Sequence, residues 1–377
     1  MAALIFSPSY RAYDFGSEHP FSPVRVEMAF DLLAALGHHL SWEEPVPATR
    51  EDILTVHSET YVRAVEALST GQKVADPEAL GLGTPDTPAF PGMDLAARTL
   101  VGGTLAGARL LSERRATRVL NFGGGLHHAQ PARASGFCVY NDLAVAIRHL
   151  TSSGLWVSYL DIDVHHGDGV QAVFYADDKV QTISLHESGQ YLFPGTGGIH
   201  ELGEGMGRGL KINVPLEPFT EGESYLEIFE KIVPRALEAF GPHVLVVQAG
   251  ADAHFDDPLA DLALTTRTYE RLFHRIVELA DSLTEGRILF TLGGGYSPHA
   301  ASRVWAILYL VVNDLPVPDA IPEVWSKRWA SCLSGRNVAT LHDADPAYPP
   351  QPHKDEISRR NRLVATRLLD ALMPFWF

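Results

Sequence analysis

The chain has 377 residues, of which 46% are hydrophobic and 20% are charged. This composition is typical of a globular protein with one large α/β domain or two average ones. A core of this size does not depend on disulfide bonds or structural metal ions for its stability. With 30 lysines and arginines against 46 aspartates and glutamates, the formal charge is −16, which disfavours nucleic acid as a partner because its phosphates would be repelled. Such a surface tolerates a cationic substrate, such as a polyamine or a lysine-rich segment, although on charge alone a role in solubility is the simpler interpretation.

The two cysteines, Cys138 and Cys332, lie far apart and form no CxxC pair. This spacing argues against a disulfide framework and against a cysteine zinc site, and it suits a reducing compartment. The longest apolar run, residues 304–312, falls short of the roughly 18 residues that a membrane-spanning helix needs. No secretory signal is visible before the first strand. We therefore expect a soluble, cytoplasmic protein.

Short apolar runs alternate with longer segments of helical periodicity along the chain. Residues 71–92 are rich in Gly, Pro and Asp and predict a long loop, and Thr49 precedes acidic residues that indicate a helix start. Strands alternating with helices indicate a mostly parallel sheet covered on both faces, and since no linker or repeat interrupts the chain we expect one domain over residues 1–377. The predicted strands are residues 3–6, 119–122, 156–160, 180–185, 244–248 and 288–292, and the predicted helices are 23–36, 93–114, 142–150, 222–240, 266–283, 300–312 and 357–372.

The end of the strand at residues 156–160 carries the most informative cluster. Asp161, Asp163 and His165 follow it at alternate positions, so their side chains project toward one side. Two carboxylates and an imidazole are costly to desolvate unpaired, and their donor atoms suit a zinc-like divalent ion. A solvated strand end is the alternative for a single Asp-x-His, but not for this cluster, which continues into a glycine-flanked Asp168.

Polar residues follow three further strands. His127 and His128 come after the strand at 119–122, Asp252 after 244–248, and Tyr296 after 288–292. Because ligands bind beyond the carboxyl ends of parallel strands, we expect these groups to meet in one crevice. Alone, Asp252 is more often a turn or cap residue. With Asp163 and His165 it becomes a third metal ligand that leaves a fourth position open, as a catalytic site requires.

The two histidines follow three glycines and suit a base and its companion, although a lone buried histidine is more often a packed core residue. Each ring needs a partner that sets its proton position, and we propose Asp161 for His127 and Asp168 for His128. Tyr296 is either a half-buried aromatic or a donor to the oxyanion that forms when water attacks a carbonyl. Phe137 and Phe193 are either ordinary core or the walls of a narrow apolar channel.

Six motifs carry a resemblance to the histone deacetylase family of metal-dependent amidohydrolases. The resemblance covers about residues 19–300, and the stretch at 186–194 is similar to that of the bacterial acetoin-utilisation deacetylases. The resemblance implies a three-layer α/β/α fold of the arginase/deacetylase type, with a mostly parallel central sheet of about eight strands. The motifs are Gly-Gly-Gly-Leu-His-His-Ala at 123–129, Gly-Phe-Cys-Val-Tyr-Asn-Asp at 136–142, Asp-Ile-Asp-Val-His-His-Gly-Asp-Gly at 161–169, Phe-Pro-Gly-Thr-Gly at 193–197, Gln-Ala-Gly-Ala-Asp at 248–252 and Gly-Gly-Gly-Tyr at 293–296.

The resemblance also implies two kinds of ion. Asp163, His165 and Asp252 would bind a catalytic zinc ion, or ferrous iron in its place. A monovalent cation, K⁺ or Na⁺, would lie on backbone carbonyls around Asp161, Asp163 and His165, with the Ser184 side chain.

Roles in the reaction follow from the same resemblance. His128 would be the general base and then the general acid, with His127 as an electrostatic companion, and Tyr296 would polarise the acetyl carbonyl. Pairing with Asp168 should raise the basicity of the His128 ring, because a neighbouring negative charge favours imidazolium.

The substrate contacts form a further set of implied positions. Leu192 stands where many family members have an aromatic residue, which makes that wall wider or more pliable. The implied residues are Phe137 and Phe193 flanking the acyl-lysine channel, Leu192 and Leu259 beside it, Gly136 offering its backbone, Asp86 at the rim and Arg25 beneath the site.

Four functions are to be compared with these motifs. The first is zinc-dependent deacetylation of acetyl-lysine in proteins, and the alternative is an acetylpolyamine amidohydrolase with the same chemistry on a small cation. A ureohydrolase with two manganese ions is less favoured, since the segment at 248–252 lacks the Asp-x-Asp pair of such a site. A non-catalytic binding module would be expected to have lost a ligand or the tyrosine, and none is missing.

Overall fold

The computed structural model describes residues 1–333, 335–336 and 338–376. Within these ranges the strands form one sheet of seven, parallel at every pairing, in the order β1-β2-β7-β6-β3-β4-β5. The predicted α/β architecture is confirmed, with seven strands in place of about eight. The strands are β1 Ala3–Ile5, β2 Arg118–Asn121, β3 Val157–Asp161, β4 Val180–Glu187, β5 Lys211–Leu216, β6 Val244–Gln248 and β7 Ile288–Thr291.

Helices connect the strands and cover the sheet. Thr49 caps its helix through a reciprocal pair of hydrogen bonds with Asp52, as the acidic first turn predicted. Residues 71–92 form a loop with one 3₁₀ turn, Pro77–Leu80. The helices are α1 Val24–Ala35, α2 Arg50–Leu54, α3 Glu59–Ser69, α4 Met93–Ser112, α5 Asp142–Ser152, α6 Asp168–Val173, α7 Gly222–Phe240, α8 Thr266–Leu283, α9 Pro298–Val312, α10 Glu323–Arg328 and α11 Lys354–Trp376.

The core lies on both faces of the sheet, because side chains alternate along each strand. One face packs against α1, α7, α8 and α9, and the other against α4 and α5. Full burial of an apolar side chain stabilises the fold by roughly 1.5–3 kcal/mol, so the two layers hold the strands in register. Leu160, Val247 and Phe290 point to the first layer, and Tyr159, Val246 and Leu289 point to the second.

Strand register brings four carboxyl ends together at the middle of the sheet. Asp161 lies beside Gln248, and Gln248 lies beside Thr291, which in turn pairs with Asn121. The loops that follow β2, β7, β6 and β3 therefore leave the sheet side by side. No helix in the described part of the chain is long and apolar enough to cross a membrane.

Candidate active site

Asp163, His165 and Asp252 converge beyond the ends of β3 and β6. One potential ligand atom from each lies within 4.8 Å of the other two, and all three residues are buried. The imidazole Nδ1 of His165 is 3.0 Å from Asp163 Oδ1 and 3.2 Å from Asp252 Oδ2. The three potential ligand atoms thus face one another. A neutral imidazole has at most one proton at Nδ1 to share between the two carboxylate oxygens.

The remaining oxygens of the two aspartates are already held by the protein. Asp163 Oδ2 accepts hydrogen bonds from the Gly294 N–H at 2.8 Å and from Gln248 Nε2 at 2.7 Å. Asp252 Oδ1 accepts one from the Val164 N–H at 2.9 Å. Each carboxylate therefore turns its other oxygen toward the His165 ring, and that oxygen of Asp163 also accepts the His165 N–H at 3.0 Å. This donor set, two carboxylate oxygens and one imidazole nitrogen in a buried site, fits a divalent cation of the zinc type.

Electrostatics lead to the same conclusion. Burial, followed by the negative charge of Asp163, raises the pKa of Asp252 to about 8. Burial lowers the pKa of His165, but hydrogen bonds to Asp163 and Asp252 outweigh it and raise that pKa to about 10. Both shifts mark a cluster that takes up positive charge, which a metal ion supplies in place of protons.

The glycine runs allow the strands' loops to approach these carboxylates. A Cβ atom added to Gly294 would overlap the Asp252 carboxylate, and one added to Gly250 would overlap that of Asp163. A side chain at either position would displace a ligand, so glycine is required there by close approach.

His127 and His128 lie next to the cluster, each paired with a carboxylate. His127 Nδ1 is 2.8 Å from Asp161 Oδ2, and His128 Nδ1 is 2.7 Å from Asp168 Oδ1. The ring centroids are 3.9 Å apart. A carboxylate at Nδ1 favours a proton on that nitrogen in each ring, so that a neutral His128 has Nε2 available as a base.

The two imidazoles have opposite pKa shifts. Burial lowers the pKa of His127, but the negative charges of Asp161 and Asp163 outweigh it and raise the pKa to about 9. Burial and the charge of His127 lower the pKa of His128 to about 4, although its hydrogen bond to Asp168 acts in the opposite direction. The expected effect of Asp168 is present but is outweighed, so His128 is a neutral base at pH 7 beside a cationic neighbour.

Tyr296 approaches the cluster from the glycine turn after β7. Its N–H donates to Asp257 Oδ2 at 2.6 Å, and its ring centroid lies 6.5 Å from that of His165. Burial and the negative charges of Asp252 and Asp163 raise its pKa well above the usual value, so the phenol stays protonated and able to donate. Arg25, placed beneath the site as expected, donates through Nη1 to the carbonyl of Gly295 at 2.6 Å.

A narrow cavity lies between the histidines and Tyr296, with aromatic residues on its sides. Phe137 is 5.7 Å from Tyr296 between ring centroids, and Phe193 is 5.0 Å from His128. Phe137 and Gly136 line this cavity together with Phe21, which the sequence did not predict, whereas Phe193 lies beside His128 and is not among the lining residues.

The rim positions have mixed outcomes. Asp86 accepts the Gly136 N–H at Oδ2, at 2.8 Å, and keeps Oδ1 available. Leu192 is half-buried and packs against the main core, and Leu259 donates its N–H to Asp257 at 3.0 Å. Among the described residues, neither leucine lines the cavity between the histidines and Tyr296. Ser184 lies opposite Asp161 in the sheet, and its Oγ is 2.8 Å from His186 Nδ1; the monovalent cation stays a prediction.

Three residues that hold the site's side chains in place were not predicted from the sequence. The Tyr159 hydroxyl donates to Asp161 Oδ2 at 2.6 Å, Gln130 Nε2 donates to Asp168 Oδ2 at 2.8 Å, and Asp257 holds Tyr296. Tyr159 and Asp161 are two residues apart and so lie on the same side of β3. This spacing is the one sequence feature from which their contact could have been predicted.

Comparisons with known proteins place the chain among a set of relatives along nearly its whole length. A family model described as the histone deacetylase domain matches residues 19–312. The acetoin utilization protein AcuC of Bacillus subtilis (strain 168) is 40% identical over 376 residues, 98% of this chain and 97% of that protein. The protein of the same name from Staphylococcus aureus (strain MRSA252) is 36% identical over 374 residues, 97% of this chain and 96% of that protein.

Two solved structures are similar in fold. The crystal structure of an HDAC homologue complexed with SAHA has a TM-score of 0.87 at 27% identity, covering 97% of this chain and 99% of that one. The crystal structure of an HDAC homologue from Aquifex aeolicus has a TM-score of 0.85 at 27% identity, covering 96% of this chain and 99% of that one.

Proposed function

Since the chain belongs to the histone deacetylase family, whose members hydrolyse acetylated amides, we propose that its substrate is acetyl-lysine in proteins and its products are free lysine and acetate. The observation that carries this proposal is the arrangement of Asp163, His165 and Asp252 beside His128 and Tyr296, two residues that line a narrow cavity together with Phe21 and Phe137.

The metal ligands define what a bound ion contributes. Zinc, or ferrous iron in its place, would be held by Asp163, His165 and Asp252. When bound, it would supply a Lewis acid beside the scissile carbonyl. We also propose a K⁺ or Na⁺ ion near Ser184, which is supported by the burial of that hydroxyl beside Asp161.

The chain's own residues then account for the proton transfers. His128 is neutral at pH 7, so its Nε2 accepts a proton from the attacking water and later donates it to the leaving amine. Asp168 fixes the orientation of that ring, and His127 stays cationic beside it and favours developing negative charge. The Tyr296 hydroxyl donates to the oxyanion that forms from the acetyl oxygen.

Lysine as the acetylated amine is supported by the walls and rim of the cavity. Phe137 and Phe193 suit a methylene chain, which packs against aromatic faces without polar groups to satisfy. At the rim, Asp86 keeps a free oxygen that can accept an N–H from a substrate backbone.

An acetylated polyamine is the second candidate. It is favoured by the net charge of −16 and by the same Asp86 carboxylate, which would attract a distal ammonium group. A ureohydrolase is disfavoured, because the described residues contain one group of three potential metal ligands and no second group beside it.

Steady-state kinetics on two substrates tests the proposal. We expect kcat/KM for an acetyl-lysine peptide to exceed that for N-acetylputrescine by at least about tenfold, since each 1.4 kcal/mol of differential transition-state binding gives that factor. A large preference for N-acetylputrescine would replace the first candidate by the second. Activity on neither would reject both.

A further inference from the structure

The surface has a groove outside the catalytic cavity. It has a volume of about 720 Å³ and lies between the β5–α7 loop and the start of α11. Its apolar lining comes from Tyr191, Pro218, Phe219, Pro352 and Ile357. None of these residues has a part in the chemistry described above.

One loop connects this groove to the catalytic residues. Tyr191 is two residues before Phe193, whose ring lies 5.0 Å from that of His128. The same loop is joined to the end of β5 by the Ser188 N–H, which donates to the Leu216 carbonyl at 2.8 Å, and the Phe219 N–H donates to the Asp261 carbonyl at 2.8 Å. A polypeptide held beside Phe193 is therefore near the groove.

The aromatic residues of the groove are exposed where burial would be expected. Tyr191 is 59% exposed and Phe219 is 47% exposed. Phe219 also has a φ of 61°, a left-handed conformation that is unfavourable for a bulky residue. A residue held in such a conformation without compensating core packing indicates a functional role, such as contact with a bound partner.

The charged side chains of the groove are paired with one another. Arg360 lies 3.2 Å from Glu217 and 2.6 Å from Glu356, which leaves one net negative charge among the three. The remaining lining is mainly apolar and suits an apolar group.

We propose that this groove binds the polypeptide beside the acetylated lysine, with an apolar side chain of the substrate seated between Tyr191 and Phe219. The proposal rests on the proposed function, since a small acetylated polyamine has no such side chain. The seated residue and the acetyl-lysine would belong to one extended segment, in which each residue adds about 3.3 Å. The groove therefore adds sequence preference to a reaction whose chemistry lies in the cavity.

A peptide series tests this assignment. Each peptide carries one acetyl-lysine in a Gly/Ser background, with a single leucine moved through the three positions on either side, and a minimal acetyl-lysine amide serves as reference. For wild type, we expect kcat/KM at one leucine position to exceed that of the all-Gly/Ser peptide by about tenfold, mainly through KM. The variant Tyr191→Ala should lose this preference. For each enzyme, the kcat/KM of every peptide is divided by the kcat/KM of the minimal substrate.

Two further variants keep the result interpretable. Phe219→Asn removes the ring but tolerates a left-handed φ, and it should also lose the leucine preference. Met206→Ala, a change at a 75% exposed apolar residue before the start of β5 that does not line the groove, should retain it.

The outcomes separate the two proposals. Peptide turnover with no leucine preference, or with a preference that Tyr191→Ala leaves intact, would overturn the groove assignment alone. A wild-type enzyme that turns over N-acetylputrescine but no peptide would overturn both. An unchanged preference together with an altered oligomeric state of Tyr191→Ala, measured by light scattering, would assign the groove to a contact between copies of the chain and overturn the proposal.

Discussion

Asp252 contributes to the site through a single free carboxylate oxygen. The Val164 N–H holds its other oxygen at 2.9 Å, so the orientation of the free one is set by the loop after β3. This arrangement couples the two strands that carry the metal ligands, and it makes Asp252 a sharp test of the site.

We expect Asp252→Ala to purify without a stoichiometric divalent ion and without deacetylase activity, because the remaining Asp163 and His165 give too few ligands for a stable site. Metal analysis by mass spectrometry after dialysis is the measurement. Asp178→Ala, a change at an exposed aspartate, is the matched control and should keep its metal. A full complement of metal in Asp252→Ala would contradict the assignment.

Tyr296 is expected to act on the transition state alone. Tyr296→Phe keeps the ring against Phe137 and removes one hydroxyl, so we expect unchanged metal content and a kcat lowered by about 10²–10³, the usual cost of one oxyanion donor. Single-turnover kinetics on an acetylated peptide would measure it. Full activity in this variant would overturn the oxyanion role.

At the scale of the elements, Asp343 joins three parts of the fold. Its carboxylate is 3.0 Å from His254 Nε2, 2.8 Å from Arg303 Nη2 of α9, and accepts the Thr266 N–H at the start of α8 at 2.8 Å. Burial raises the pKa of Asp343, but the hydrogen bond from His254 and the charges of His254 and Arg303 outweigh it and hold the pKa well below the usual range.

The depressed pKa gives the sign of a pH effect. The stabilisation is fully present above the unfolded-state pKa of about 3.9 and is lost as pH falls below it. We expect Asp343→Asn to lower the free energy of unfolding by about 3–5 kcal/mol at pH 7. Urea unfolding should show this difference shrinking below about pH 4.

The exposed Asp319 offers a control, since Asp319→Asn should unfold like wild type at every pH. A difference for Asp343→Asn that grew as the pH fell would contradict the linkage.

The elements differ in how far the sequence alone could predict them. Strands β3 and β6, which precede the metal ligands, are buried on both faces and appear as plain apolar runs. By contrast β5 was missed, because Lys211 and Pro215 do not resemble a strand. Pro215 is tolerated since β5 is an edge strand, and the Lys211 ammonium is buried and donates to the Val180 carbonyl at 2.6 Å. Both explanations depend on neighbours that the sequence does not name.

Similar reasoning applies to the site. Asp163, His165 and Asp252 could be found because strand parity and parallel topology bring them to one edge. Tyr159 and Asp257 could not, since a buried strand tyrosine and a loop aspartate have commoner explanations and their contacts exist only in the folded chain.

At the scale of the molecule, α11 covers the outer edge of the sheet. It packs against α7 and β5, and so shields an edge strand that would otherwise present unpaired backbone groups. Because this last helix joins the main core cluster through Leu368 and Leu372, we propose that residues 1–377 form a single domain.

Leu368→Ala tests the contribution of this helix. The side chain is fully buried, so we expect a loss of about 2–5 kcal/mol in the free energy of unfolding, measured by urea denaturation. Leu363→Ala, on the exposed side of the same helix, should change it by less than about 0.5 kcal/mol. Equal effects of the two variants would show that α11 is not part of the cooperative core.

The division of labour between strands and loops has a consequence for how such a chain can diversify. The reacting groups lie in the loops directly after β2, β3, β6 and β7, and the register of these four adjacent strands, which admits no one-residue slip, fixes where each loop starts. Tyr191 and Phe219 lie in the loops after β4 and β5, toward one edge of the sheet, and hold none of the reacting groups. New substrates are therefore reached by exchanging connections, while the reaction itself is inherited intact.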